Sequence, residues 1–251
     1  IHSIAGLLQR GQLSRTRPFR APHHSASMAA MVGGGIKAKP GEASMAHHGI
    51  LFLDELPEFT AQVLDSLRQP LENGEAVVSR ANRHVRYPSR FQLVAAANPC
   101  KCGGGPGAFQ CRKGPACQAN YFARISGPFL DRIDLFVDVA QVTATDLALP
   151  APLEGTAEAA ARVAAARDIQ LKRYGDSDAR RRAVNADTPG ADIEVLCRLD
   201  AGAKALVAKA AEQMSLSARA YYRVLKVART IADLDRAASV SRVHAAEALT
   251  Y

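Results

Sequence analysis

Residues 49–58 read GILFLDELPE: an apolar run ends in two adjacent carboxylates, Asp54 and Glu55. An acid at the carboxyl end of a parallel strand can help hold Mg²⁺ beside nucleotide phosphates. A second acid next to it can take a proton from the water that attacks the γ-phosphate. Strands also end in acids simply because the chain meets solvent there, so the pair alone leaves both readings open. Three further residues follow in order. Asn98 ends the run VAAAN, where it could orient the attacking water or merely open the turn before Pro99. Arg132, in FLDRIDL, stands at a helix-to-strand junction. An exposed arginine there could reach a neighbouring subunit and stabilise transition-state charge, or pair with Asp131 or Asp134. Arg219, in LSARAYYRVLKVARTIADL, lies near the start of a helix and could touch a phosphate; Arg223, one turn on along the same face, is its rival.

A second constellation is made of thiols. Cys100, Cys102, Cys111 and Cys117 fall in one Gly/Pro-rich stretch, and four thiolates suit tetrahedral zinc. The GGGPG stretch at 103–107 lets the chain fold back, while Lys101, Arg112 and Lys113 offset an anionic centre. The spacing is not the usual paired CxxC, so free thiols and disulfides stay open as alternatives. Cys197, in the apolar stretch IEVLCRL, reads as core. His23–His24 and His47–His48 are adjacent pairs, and neighbours in a strand point to opposite faces, which argues against a shared ligand set.

Two segments are strongly basic. Residues 10–39 carry Arg10, Arg15, Arg17, Arg20, Lys37 and Lys39 with no acid among them, and residues 80–90 carry Arg80, Arg83, Arg86 and Arg90 with His84 and Tyr87. Basic side chains on projecting hairpins grip phosphate backbones, and an aromatic ring can stack on an unpaired base. The alternative is a solvated basic face. A formal net charge of +8 favours acidic partners, nucleic acid first.

Particular elements must position these groups. With 251 residues, 48% hydrophobic and 22% charged, the chain can build a sizeable core. ILFL at 50–53 reads as a buried parallel strand and 91–98 as a second core strand. A third strand is expected at 133–139. Apolar positions 63, 64, 67 and 71 predict a helix over 60–72 that Pro70 ends or bends. EAVVSRANRHVRYPSRF alternates around Ala81–Arg83 as a hairpin would. Composition shifts near residue 143, and beyond Pro150 and Pro152 the pattern predicts helices near 155–174, 200–213, 217–234 and 241–250, the third capped by Ser217 and the last by Ser239 or Ser241. The expected division is an α/β part over 1–142, a linker and helix over 143–190, and a helical part over 191–251. No apolar run approaches the roughly 20 residues a bilayer needs. Clustered cysteines and the lack of a secretory signal point to a reducing, cytoplasmic setting.

The order hhhhDE, AAANPC, LDRIDL, SARAY resembles the AAA+ ATPases of the magnesium-chelatase-like group. RPFRAPHHSAS, GILFLDELPEF, SLRQPLENG, VAAANPCKCG and ISGPFLDRIDLFV extend that resemblance, over essentially the whole chain, to the bacterial ComM/YifB-type family. The resemblance implies an α/β fold, the C-terminal portion of an AAA+ αβα P-loop NTPase core, followed by an all-α helical lid. It implies Asp54 and Glu55 as Walker B, Asn98 as sensor 1, Arg132 as the arginine finger and Arg219 as sensor 2. Lys37 and Lys39 would fall in the helix-2 insert and Arg80, Arg83 and Arg86 in the pre-sensor-1 hairpin, both lining the pore of a hexameric homo-oligomeric ring. A similar Cys-rich loop in the family supports a structural zinc. The implied activity is ATP- and Mg²⁺-dependent motion on single-stranded or branched DNA, as in branch migration or helicase action during natural transformation. A rival from the same group is a chelatase-type subunit that remodels a protein partner without DNA. Two departures stand out. AHHG at 46–49 is more often AHNG in the family, so His48 is given no role. No GxxxxGK[ST] occurs; GGGIK at 33–37 comes nearest but lacks the Gly-Lys-hydroxyl order. Since the family's phosphate loop precedes IHSIAGL, the chain is expected to begin after it and to hydrolyse almost no ATP on its own.

Overall fold

The computed structural model describes residues 1, 3–6, 16–35, 37–80, 83–102, 111, 115–140, 142–150, 154–175 and 184–251. They form two compact units, residues 1–133 and 134–251.

The first unit begins with β1 (Phe19–Arg20), α1 (Met28–Val32), a small hairpin of β2 (Gly33–Gly34) and β3 (Lys39–Pro40), and α2 (Glu42–Met45). Next come β4 (Ile50–Leu53), α3 (Ala61–Ser66), α4 (Arg68–Asn73), the hairpin β5 (Glu75–Arg80) and β6 (Arg83–Pro88), then β7 (Gln92–Ala95), α5 (Pro115–Phe122) and α6 (Gly127–Leu130). An all-apolar run with β-branched and aromatic members suits a strand covered on both faces. Accordingly β4 lies between β1 and β7, parallel to both, with Leu51 beside Arg20 on one side and Leu93 on the other. Leu51 and Leu53 are fully buried with Met31, Phe59, Leu64, Leu67 and Phe129. Gly49 is required where it stands, because a Cβ there would run into the backbone of Pro18, whose carbonyl accepts the Ile50 N–H at 2.9 Å.

Several expectations need correction. The helix expected over 60–72 is two helices that break at Leu67. Pro70 sits in the first turn of α4, where an N–H would have no helical partner anyway. β7 is shorter than 91–98 and is an edge strand among the described residues, with Val94 38% exposed. Residues 133–139 form no strand, and Leu135, Phe136, Val137 and Val139 are exposed. An apolar run becomes a strand only where a ladder partner takes its backbone groups.

The second unit is helical: α7 (Ala144–Leu147), α8 (Thr156–Tyr174), α9 (Gly190–Cys197), α10 (Ala201–Gln213), α11 (Ala218–Leu234) and α12 (Arg242–Ala248). The Ser217 Oγ caps α11 by accepting the Ala220 N–H at 3.2 Å, and Ser241 caps α12. α11 packs against α8, α9 and α12, burying Leu225, Ala228 and Ala232 with Ile193 and Val240. Its inward face also carries charge. Asp233, fully buried, accepts hydrogen bonds from Arg229 Nε at 3.0 Å, from Asn185 Nδ2 at 2.9 Å and from Arg173. Buried Arg229 also donates to the Ala237, Ala238 and Cys197 carbonyls. Burial pushes the Asp233 carboxyl up, but the hydrogen bonds from Arg173 and Asn185 and the two guanidinium charges outweigh it and hold it below the usual range. No helix of the described residues is long and apolar enough to cross a membrane.

Candidate active site

Three parallel strands deliver their following residues to one edge of the sheet, the edge where open α/β sheets bind ligands. From β4 come Asp54 and Glu55. Asp54 Oδ1 accepts the Glu55 N–H at 2.9 Å, and Glu55 takes a left-handed backbone (φ 52°), uncommon for a residue with a Cβ. A helical turn at Leu56–Glu58 follows. β7 exits alongside: the Ala96 N–H donates to Leu53 O and the Leu56 N–H to Ala96 O, both at 2.9 Å. This cross-link ties the segment leading to Asn98 to the segment carrying the two acids. Asp54, Glu55 and Asn98 are all exposed. From β1 comes His24, with Nδ1 3.2 Å from Glu55 Oε2 and its ring edge-on to Phe59.

His24 was not singled out by its sequence context beyond its pairing with His23. Both histidine pairs lie in turns rather than strands, so their rings face one another with centroids 4.0 Å apart for His23–His24 and 3.9 Å for His47–His48. The opposite-face argument therefore does not apply to them. His47 Nδ1 accepts the Arg90 N–H at 3.0 Å, and the His48 N–H donates to Arg90 O at 2.6 Å. Burial, and after it electrostatic repulsion from His48 and Arg90, lowers His47 to about 4.

Arg132 is not an exposed arginine. Its side chain is 11% exposed, with one guanidinium nitrogen 2.6 Å from Glu72 Oε2 and another donating to the Pro128 carbonyl. Its Nε is buried with no hydrogen-bond partner. Neither Asp131 nor Asp134 takes it. Arg219, in the second unit, is exposed in the first turn of α11. Arg223 is half-buried and lines a cavity of about 190 Å³ with Leu216, Val224 and Tyr251.

The basic segments form two hairpins that are fastened together. β5 and β6 pair from Glu75–Pro88 to Arg80–Arg83, and Arg86 is exposed on β6. Lys37 and Lys39 are exposed on the β2–β3 hairpin. Tyr87, expected as a stacking ring, is instead buried against Val78 and Ala38, and its hydroxyl donates to Ala38 O at 2.7 Å. Strand alternation puts it on the same face as Val78 and Val85, away from Arg86. Arg20 is held by Glu42 in a bidentate pair, Nε–Oε2 2.5 Å and NH2–Oε1 2.8 Å, which raises the arginine further. Arg10, Arg15, the GGGPG stretch, Arg112 and Lys113 lie outside the described residues, as do the side chains of Arg80 and Arg83.

Cys100, Cys102, Cys111 and Cys117 converge, their Sγ atoms all within 4.8 Å of one another. None of the four is joined in a disulfide, and neither is Cys197. Hydrogen bonds shared with Cys111, Cys117 and Cys100 push the Cys102 thiol up to about 12. Cys197 is core, as expected: its Sγ donates to Leu225 O at 3.2 Å, and burial raises it to about 12.

A parallel sheet with a doubled acid at the exit of its central strand, followed by a helical unit, defines the class: part of a magnesium-chelatase-like AAA+ core with a C-terminal helical domain. The family described as "Magnesium chelatase, subunit ChlI" matches residues 1–147, and "Magnesium chelatase, subunit ChlI C-terminal" matches residues 153–251. Competence protein ComM of Haemophilus influenzae is 47% identical over 238 residues, covering 94% of this chain and 45% of that protein. YifB of Escherichia coli is 44% identical over 238 residues, covering 94% of this chain and 46% of that protein. A magnesium-chelatase 38 kDa subunit of Acidiphilium rubrum is 38% identical over 66 residues, 26% of this chain and 19% of that protein. The chain belongs to the magnesium-chelatase-like ComM/YifB family, within the AAA+ ATPase superfamily. It spans about half the length of the curated relatives it matches.

Proposed function

We propose that the whole protein is a cytoplasmic, Mg²⁺- and ATP-dependent motor that assembles as a homo-oligomeric, hexameric ring and acts on single-stranded or branched DNA, in branch migration or unwinding during natural transformation. The observation that carries this reading is the shared edge of the sheet. Asp54 and Glu55, the Asn98 segment and His24 converge there from three parallel strands. The donor set fits Mg²⁺, which binds through one or two carboxylates and keeps waters and phosphate oxygens for its remaining positions. Asp54 would hold that ion, which supplies charge neutralisation at the phosphates when bound. Glu55 would accept the proton of the attacking water, and Asn98 would orient that water. Arg132, released from Glu72, would meet the charge that develops on the transferred group in a neighbouring subunit. Arg219 would reach a phosphate from the helical unit. Its exposure favours it over the half-covered Arg223. Zn²⁺ would be the second metal, at the four thiols.

DNA is favoured over a protein partner by the exposed Lys37, Lys39 and Arg86, with Arg80 and Arg83 at the tip of the longer hairpin. The much longer match to ComM than to the 38 kDa chelatase subunit points the same way. Two measurements on the whole protein test the reading. Glu55→Gln should keep ATP binding while lowering turnover by about 10²-fold or more. Arg83→Glu with Arg86→Glu should weaken DNA binding and flatten its salt dependence by roughly two units of slope. Unaltered turnover or unaltered binding would overturn the corresponding half.

A further inference from the structure

The four-thiol cluster has no part in ATP chemistry, yet it lies between the segments that do. We propose that Cys100, Cys102, Cys111 and Cys117 bind one structural zinc ion, and that this ion clamps the Asn98 turn to α5 and, through α5, to the turn that follows Glu55.

The sulfur geometry fits one tetrahedral ion, for which zinc is the proposed occupant. Cys102 Sγ lies 3.1 Å from Cys111, 3.4 Å from Cys117 and 3.6 Å from Cys100. A regular tetrahedron with Zn–S bonds of about 2.3 Å has edges of about 3.8 Å, so small outward shifts admit the ion. A disulfide needs sulfurs about 2.05 Å apart. An iron–sulfur cluster interposes inorganic sulfide and a second iron, which would spread the thiolates well beyond the 4.8 Å observed. Soft sulfur ligands do not suit Mg²⁺ or Ca²⁺. Four protein ligands leave no open position, which makes the site structural rather than catalytic. On binding, four thiols release four protons and become thiolates, leaving a centre of net charge −2 beside Lys101.

The connections outward give the ion its role. Cys100 is buried, and Asn98 stands two residues before it, exposed. Cys117 lies in the first turn of α5. One turn further, Tyr121 is buried with its hydroxyl against Glu58, and Phe122 packs on the core that contains Phe129. Just past α5, Arg124 reaches Glu58 Oε2 and Pro57 O, both at 3.4 Å. Glu58 ends the helical turn that begins directly after Glu55. Ligands at both ends of residues 100–117 therefore close a loop whose two anchors are the two sides of the candidate active site. The service this performs for Asn98 as a hydrolysis residue rests on the proposed function; the metal and the clamp do not.

The test uses the whole protein purified without added metal. Elemental analysis should find about one zinc per chain, retained in Cys197→Ser and lost in Cys102→Ser and Cys117→Ser. Cobalt exchanged into the site should show the visible absorption of a tetrathiolate centre. Removing zinc with a chelator should speed amide exchange at Leu56, Glu58 and Phe59 and at 96–98 by about tenfold, and restoring zinc should reverse it. Fewer than about one zinc for every five chains, full zinc in the serine variants, or exchange at Leu56, Glu58 and Phe59 indifferent to chelation would overturn the proposal. If the serine variants do not fold, the wild-type metal content and the chelator experiment decide. Zinc and protection present in a protein that never hydrolyses ATP would refute the nucleotide reading and leave this one standing.

Discussion

The His24 Nδ1 lies 3.2 Å from the Glu55 Oε2, joining the residue after β1 to the second acid after β4. Glu55 is half-exposed and held on a left-handed backbone, so its carboxylate has few other restraints. If Glu55 is the base of the proposed hydrolysis, His24→Ala in the whole protein should lower kcat by roughly tenfold with little change in KM, because a base that wanders loses near-attack geometry. His24→Gln, which can still donate a hydrogen bond, should retain most of the rate. Equal kcat in wild type and His24→Ala would reduce the contact to a surface pair.

Arg132 is held by Glu72 while its Nε stays buried and unpaired, a pose that forfeits about 1–3 kcal/mol at that nitrogen. Such a pose is compatible with release. Glu72→Gln should leave stability within about 1 kcal/mol, since Glu72 is itself half-exposed. Arg132→Ala should cut ATP turnover of the assembled protein by about 10³-fold without unfolding it. Urea unfolding and steady-state ATPase, measured on both variants, separate the roles. A collapse of stability in Arg132→Ala would make the residue a brace instead.

Asp233 neutralises Arg229 and Arg173 inside the helical unit. Asp233→Asn should cost about 3–5 kcal/mol, because it leaves buried guanidinium charge uncompensated. Its carboxyl lies below the ordinary value when folded. The stability it contributes is therefore full at neutral pH and lost as pH falls through that depressed value. Denaturant midpoints for wild type and variant should converge in acid. A constant gap across the acid range would contradict the assignment.

His47 gives the first unit an acid sensitivity of its own, in a milder range. Its neutral ring accepts the Arg90 N–H, and its folded value is about 4 against an ordinary 6.5. Because the folded value is the lower one, the stability is complete above pH 6.5 and drains away toward pH 4. His47→Asn, whose side-chain oxygen can accept the same N–H, should flatten the dependence of the urea midpoint on pH across that window. A wild-type midpoint equal at pH 7 and pH 5 would be the contrary result.

Much of the helical unit is legible in period and caps alone. α8, α10 and α11 fall within about two residues of expectation, and Ser217 caps where it should. Strands were harder. β4 is bounded by Gly49 and Asp54 and reads correctly, while residues 133–139, rich in Leu, Phe and Val, form no strand and β7 stops at Ala95. Hydropathy reports which faces tolerate burial, not whether a partner strand arrives. Asp54 and Glu55 follow β4 directly, as their run implied, whereas Asn98, expected at the end of its strand, lies three residues past the end of β7. His24 could not be found the same way, since its contact depends on parallel pairing across 31 positions. Tyr87 was readable in principle, because alternation along β6 sets it with Val85. His48, the AHHG position given no role, takes a left-handed backbone at φ 61°, which asparagine or glycine adopts with less strain than histidine.

The hydroxyl of Tyr87 on the Ala38 carbonyl has a mechanical corollary. Two loops that swing independently share a load only by chance, whereas here the turn of the short hairpin is stitched to the base of the long one, so the two deflect together. Lys37, Lys39 and Arg86 thus belong to a single lever. A displacement of one hairpin is passed to the other through the Tyr87 hydroxyl and the apolar packing of Ala38 on Val78.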